Sequence, residues 1–110
     1  MDIINIKQIA LQIIIKNLVE LISDAGLEKS RKDVYIKKIS NMNIEIWEQA
    51  CLTTEKKISS MDMKYIICFS IEMNAKDISI LFNVEPASVR TARYRIRKKL
   101  ENKDTFGFLF

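Results

Sequence analysis

Asn5, Gln8, Gln12, Lys16 and Glu20 recur every three to four residues near the start of the chain. On a helical wheel they form one polar stripe, and Ile6, Ile9, Ile13, Ile14, Leu18, Leu21 and Ile22 fill much of the remainder. This spacing predicts one long helix from Asp2 to Ser23, stopped at Gly26 by a left-handed glycine after the last turn. The apolar arc is wider than one packing face requires. Either the helix is central and covered on two sides by its own chain, or it packs partly on its own domain and partly on a second subunit. A small chain has few other elements to cover it, which favours a homodimer through this N-terminal helix.

A second helix is expected from about Glu28 to Ser40, with Val34, Tyr35 and Ile39 buried and Lys29, Arg31, Lys32, Lys37 and Lys38 in water; Asn41 and Asn43 mark the break. Ile44, Trp47, Cys51 and Leu52 predict a third helix ending near Lys57, with Trp47 and Cys51 in the core. From Ser59 the helix starts carry capping chemistry. Ser59 with Asp62 three residues on is a capping-box-like start, followed by Met63, Ile66, Ile67 and Ile71 as an apolar face. Asn74 with Asp77 repeats the device and opens a short helix containing Ile78, Leu81 and Phe82. Asn83 tolerates a left-handed turn, and Pro86 suits the first turn of a last helix that runs to about Glu101.

Composition narrows the class. The chain has 110 residues, 48% hydrophobic and 29% charged, with only two Gly and one Pro. Disordered and fibrous classes are excluded, and a single all-helical domain, or one small domain with an extension, fits best. There is no His, and the two Cys have no second pair, so neither a zinc site nor a disulfide scaffold has its ligands. No metal or cofactor is expected. Lys7, Gln8, Gln12, Lys16, Asn17 and Glu20 interrupt the first apolar segment, which therefore reads as neither a membrane span nor a signal peptide. A cytoplasmic, reduced and nucleoid-associated location follows as the expectation.

Charge changes the picture more. Residues 1–89 sum to −1, residues 90–100 carry six basic and no acidic side chains, and residues 101–110 sum to −1. Four of the five Arg, namely Arg90, Arg93, Arg95 and Arg97, fall within eight residues. The planar guanidinium suits bidentate pairing with phosphate or a guanine edge, so an acid-free Arg run on a near-neutral chain points to a polyanion. On the wheel of the last helix, Val89, Ile96 and Leu100 define a buried side. The opposite side carries Ala87, Arg90, Thr91, Tyr94 and Lys98, with Arg97 beside it and Ser88, Arg95 and Lys99 on the other flank. Arg90, Thr91, Tyr94 and Ala87 are the candidate base contacts. Arg95, Arg97, Lys98, Lys99 and Ser88 are the candidate phosphate contacts, together with Lys76 at the start of the preceding helix. The expected architecture is all-α, an N-terminal helical, dimerising region of residues 1–57 followed by a helix-turn-helix DNA-binding bundle of residues 58–110. Its expected partner is double-stranded DNA, read in the major groove by the helix of residues 86–101.

Residues 58–100, under half of the chain, resemble the LuxR/GerE-type helix-turn-helix of bacterial transcriptional regulators. Ile58-Ser59-Ser60-Met61-Asp62 looks like that family's opening Leu-Thr-x-x-Glu. Asp77 to Leu100, DISILFNVEPASVRTARYRIRKKL, follows E-I-A-x-x-L-x-I-S-x-x-T-V-x-x-H-x-x-x-I-x-x-K-L without a gap. The resemblance implies groove contacts at Arg90, Thr91 and Tyr94, which the wheel selects independently. Departures stand at Glu85 in place of the usual capping Ser, Ala92 in place of His and Glu72 in place of Gly. The family's fourth helix is replaced by the tail Phe106-Gly107-Phe108-Leu109-Phe110, expected to dock on the core. S-V-R followed by R-x-R-x-K-K-L is also similar to region four of bacterial sigma factors, which would imply RNA polymerase as a partner. A protein-interaction module with a degenerate helix-turn-helix is the remaining alternative. An enzyme is not expected, since the chain has no His, no Gly-rich phosphate loop and no paired carboxylates.

Overall fold

The computed structural model describes the backbone of residues 3–43, 58–100 and 106–109, and side chains from Ala10 onward within these spans. The expected third helix, with Trp47 and Cys51, lies outside the described residues, as do Glu101 and Phe110. Among the described residues the protein is all-helical: α1 (Ile3–Asp24), α2 (Lys29–Ser40), α3 (Ser60–Ser70), α4 (Ala75–Phe82), α5 (Pro86–Lys99) and a 3₁₀ turn (Gly107–Leu109).

The helix starts follow the capping chemistry of the sequence. Ser59 Oγ accepts the Asp62 N–H at 3.0 Å, and Asp62 Oδ2 accepts the Ser59 N–H at 3.3 Å, a complete capping box. Asn74 Oδ1 accepts the Asp77 N–H at 2.8 Å, but here the return contact is different, because the Asn74 side-chain amide donates to Asp77 Oδ2 at 3.4 Å. Asn83 closes α4 in the left-handed region at φ 54° and ψ 50°. Glu72, between α3 and α4, also takes a positive φ of 63°. Glycine adopts that conformation more readily than a residue with a side chain.

Two expectations about the first helices are corrected. Gly26 is not left-handed, since no glycine has positive φ among the described residues. Instead α1 ends in a tight turn in which the Ala25 N–H donates to the Ile22 carbonyl at 3.3 Å, and Leu27 drops into the core. Val34 is not buried: it is 50% exposed, while Tyr35 and Ile39 are buried. The buried stripe of α2 runs through Tyr35 and Ile39 at i, i+4 spacing, with Ile36 half-buried beside it, and Val34 lies about a quarter-turn away. Three of the basic residues expected in water on this helix also make contacts, Lys32 to the Ser23 carbonyl, Lys38 to the Ile71 carbonyl and Arg31 to Asp77.

The central element is α3, not α1. Met63, Tyr65, Ile66, Ile67, Cys68 and Phe69 are all buried, and α1, α5 and the 3₁₀ turn pack on this helix. Each fully buried Ile of this set contributes about 1.5–3 kcal/mol of transfer free energy. By contrast α1 buries one stripe, Leu11, Leu18 and Ile22, and leaves Ile13 and Leu21 at 54% and 37% exposure. The tail docks as expected: Phe106 and Leu109 are buried, and the 3₁₀ turn lies against α3 and α5. No helix among the described residues is long and apolar enough to cross a membrane.

Candidate nucleic-acid interface

The geometry of α5 follows from what holds its inner side. Val89, Ala92 and Ile96 are buried within the helix, and Leu100 is buried at its C-terminal cap. This fixes the rotation of the helix, because these positions share one face at 3.6-residue periodicity. Helix α4 packs against α5 across the connection Asn83-Val84-Glu85, and the Val84 N–H donates back to the Ser79 carbonyl at 3.0 Å. Pro86 occupies the first turn, where its missing N–H costs nothing. Glu85 sits at the N-cap with no side-chain capping bond.

The opposite face of α5 is open. Ala87, Arg90, Thr91, Tyr94 and Lys98 are all exposed, as their wheel positions require. Thr91 Oγ1 donates to the Ala87 carbonyl at 3.1 Å, which uses its one donor and leaves both acceptor lone pairs. Among the described residues Arg90 has no ion pair or hydrogen bond, so its fork is available to a ligand. The Tyr94 ring lies beside two cations, with Lys98 Nζ 4.5 Å and Arg97 Cζ 5.3 Å from its centroid. A hydrogen bond with Lys98, reinforced by the charges of Lys98 and Arg97, holds the Tyr94 phenol below its ordinary pKa.

No protein-family model, curated protein or solved structure matches this chain. What the surface can do rests on its own side chains.

The basic residues divide into those on the outer border, those paired with a buried carboxylate and one held against the tail. Lys98 is exposed and Arg97 half-buried on the outer border, and Lys76 is exposed at the start of α4. Ser88 is exposed on the flank of α5. Arg95 and Lys99 are tied inward by Asp62: Arg95 Nη2 lies 3.1 Å from Asp62 Oδ1, and Lys99 Nζ donates to Oδ2 at 2.9 Å. Asp62 itself is 1% exposed. Burial alone would raise its pKa, but hydrogen bonds from Lys99 and the Ser59 amide, with the charges of Arg95 and Lys99, hold it below the usual carboxylate value.

Arg93 is the one held against the tail. Its Nη2 donates to the Phe108 carbonyl at 2.5 Å and its Nε to the Leu109 carbonyl at 3.3 Å, while the guanidinium lies 5.4 Å from the Phe69 ring centroid. Arg93 thus anchors the tail against α3 and α5. Its wheel position next to Val89 and Ile96 is the sequence signal for that inward role, whereas counting Arg residues alone places it with the others.

Proposed function

We propose that the chain is a sequence-specific, double-stranded-DNA-binding transcriptional regulator that inserts α5 into the major groove. The observation that carries this reading is the division of α5 into an apolar side sunk in the core and an outer side bearing Ala87, Arg90, Thr91 and Tyr94, bordered by Arg97 and Lys98. Arg90 is the candidate reader of guanine N7 and O6. Thr91 and Ala87 meet a thymine methyl, and Tyr94 reaches a base or phosphate. Helix α4, the Asn83 turn and α5 serve in this reading as a helix-turn-helix, in keeping with the LuxR/GerE resemblance of residues 58–100. The exposed Ile13 and Leu21 of α1 support a homodimer, which would present two reading helices to a two-fold operator.

Fluorescence anisotropy with a mixed-sequence duplex at several salt concentrations tests the reading. The expected log–log slope is about −0.9 for each phosphate neutralised, several contacts deep. Absence of binding at low salt would refute it. Once a site has been selected, Arg90→Ala should cost about 1–3 kcal/mol and relax one base position. An equal loss on every sequence would make Arg90 a phosphate contact instead.

A further inference from the structure

Between α3 and α5 lies an open groove of about 350 Å³, lined by Tyr65, Ala87, Ser88, Thr91, Ala92 and Arg95. Tyr65 is the unexpected member. Its ring is core, stacked on Phe69 at 6.0 Å and edge-on to Phe82 at 5.0 Å, and the residue is only 6% exposed. Yet its hydroxyl has no hydrogen bond among the described residues and is not sealed from the surface. A phenol this deeply set ordinarily has a partner for its O–H, so this donor is open to whatever enters the groove.

The groove lining also holds one charged side chain, Arg95, and the groups paired behind it do not cancel its charge. Asp62 brings one negative charge against the two positive charges of Arg95 and Lys99, and its contact at 3.1 Å holds Arg95 at the groove wall. Burial raises the pKa of the Tyr65 phenol, and the nearby Arg95 charge opposes part of that rise. Ser88 adds an exposed hydroxyl in the first turn of α5, and the small side chains of Ala87 and Ala92 leave room between the donors. Thr91 lines the groove and also belongs to the proposed reading face, so the two surfaces adjoin.

We infer that this groove seats one backbone phosphate of the bound DNA, with the Tyr65 hydroxyl, the Ser88 hydroxyl and the Arg95 guanidinium as its donors. The inference rests on the proposed DNA-binding function and adds a contact from α3, outside the paired helices. Tyr65 is a positioning contact: it fixes register along the backbone and carries no sequence information.

Tyr65→Phe tests it, because the substitution keeps the ring and removes only the hydroxyl; thermal melting checks that the fold is retained. With wild type and variant titrated against two duplexes of unrelated sequence, the expected loss is about five- to twentyfold, equal on both. The salt slope should be unchanged by Tyr65→Phe, since a neutral hydroxyl releases no counterion, and reduced by about one by Arg95→Gln. Wild-type affinity of Tyr65→Phe on both duplexes would overturn the groove and leave the proposed function standing. A loss confined to one sequence would overturn it too, by making Tyr65 part of base reading. Inorganic phosphate, followed by NMR at the Tyr65 ring, separates the other failure. If it shifts the ring while wild type binds no duplex, the groove takes a free anion, and both the DNA phosphate and the proposed function fail.

Discussion

Asp62 and Asp77 occupy the same local position in two successive helices, and the comparison between them explains how the molecule is tied together. Each is the third residue of its helix, each receives its capping contact from the residue three before it, and each is 1% exposed. Their partners come from opposite ends of the chain. Asp62 collects Arg95 and Lys99 and so fastens α3 to α5. Asp77 accepts a hydrogen bond from the Tyr35 hydroxyl at 2.6 Å and pairs with Arg31 Nε at 3.2 Å, which fastens α4 to α2. One sequence device thus serves two long-range connections, one within the basic helix bundle and one between that bundle and the N-terminal region. Buried charge of this kind is tolerated only with partners in place, so what each carboxylate is worth depends on what its partners do when it is removed.

The largest effect is expected at Asp77. In Asp77→Ala the Tyr35 hydroxyl loses the acceptor of a buried hydrogen bond, and Arg31 loses its carboxylate partner. A cost of about 3–4 kcal/mol is expected by urea denaturation. Asp62→Ala should cost less, about 2 kcal/mol, because the Arg95 and Lys99 side chains are 49% and 28% exposed and can turn outward when the carboxylate is lost. A larger loss at Asp62 than at Asp77 would break the comparison and show that Arg95 and Lys99 are held more firmly than their exposure implies.

pH separates the same two sites. Burial, then the hydrogen bond to Asp77, raises the Tyr35 pKa from 10.0 to about 12. A raised pKa contributes stability that is complete below the unfolded value and is lost as pH climbs through the folded one. Stability should therefore fall between about pH 10 and pH 12, and Tyr35→Phe should abolish that part of the alkaline profile while costing about 1.5–2 kcal/mol at neutral pH. Asp62 has a lowered pKa, so its contribution is present above the ordinary carboxylate range and lost as pH falls through the folded value. Asp62→Asn should flatten the acid limb of the stability profile. An acid limb unchanged in that variant would mean that other carboxylates set it.

Much of this frame was legible in the sequence, and the reason is locality. Ser59 with Asp62, Asn74 with Asp77, the left-handed Asn83 and Pro86 in a first turn are all contacts made within a few residues, so spacing alone reveals them. The outer face of α5 was legible for a related reason, since helical periodicity fixes which side chains oppose Val89 and Ile96. What spacing does not encode is which cation meets which carboxylate across the core. Arg95 and Lys99 carried the same signal as Arg97 and Lys98 until α3 placed Asp62 beside them. Val34 and Gly26 failed differently. Hydrophobicity alone places Val34 in the core although its neighbour Tyr35 already defines the face, and a glycine after the last turn signals a left-handed stop although the turn at Ala25 and the burial of Leu27 end the helix without it.

The smallest effects concern the caps, and they sharpen the comparison because the two caps differ in the group that donates back to the carboxylate, the backbone N–H of Ser59 and the side-chain amide of Asn74. Ser59→Ala removes a hydroxyl that accepts the Asp62 N–H, while the Asp62 carboxylate keeps Lys99 and the Ser59 N–H; a cost of about 1 kcal/mol is expected. Asn74→Asp retains an acceptor for the Asp77 N–H but replaces the side-chain amide, which donates to Asp77 at 3.4 Å, with a second carboxylate. The cap survives and the like charge opposes it. Asn74→Asp should therefore lose about 0.5–1 kcal/mol at neutral pH despite supplying a good N-cap residue, and the loss should shrink as acid protonates the new carboxyl. A variant as stable as wild type at neutral pH would show that Arg31 has enough unspent attraction, 3.2 Å from Asp77, to hold both carboxylates at the start of α4.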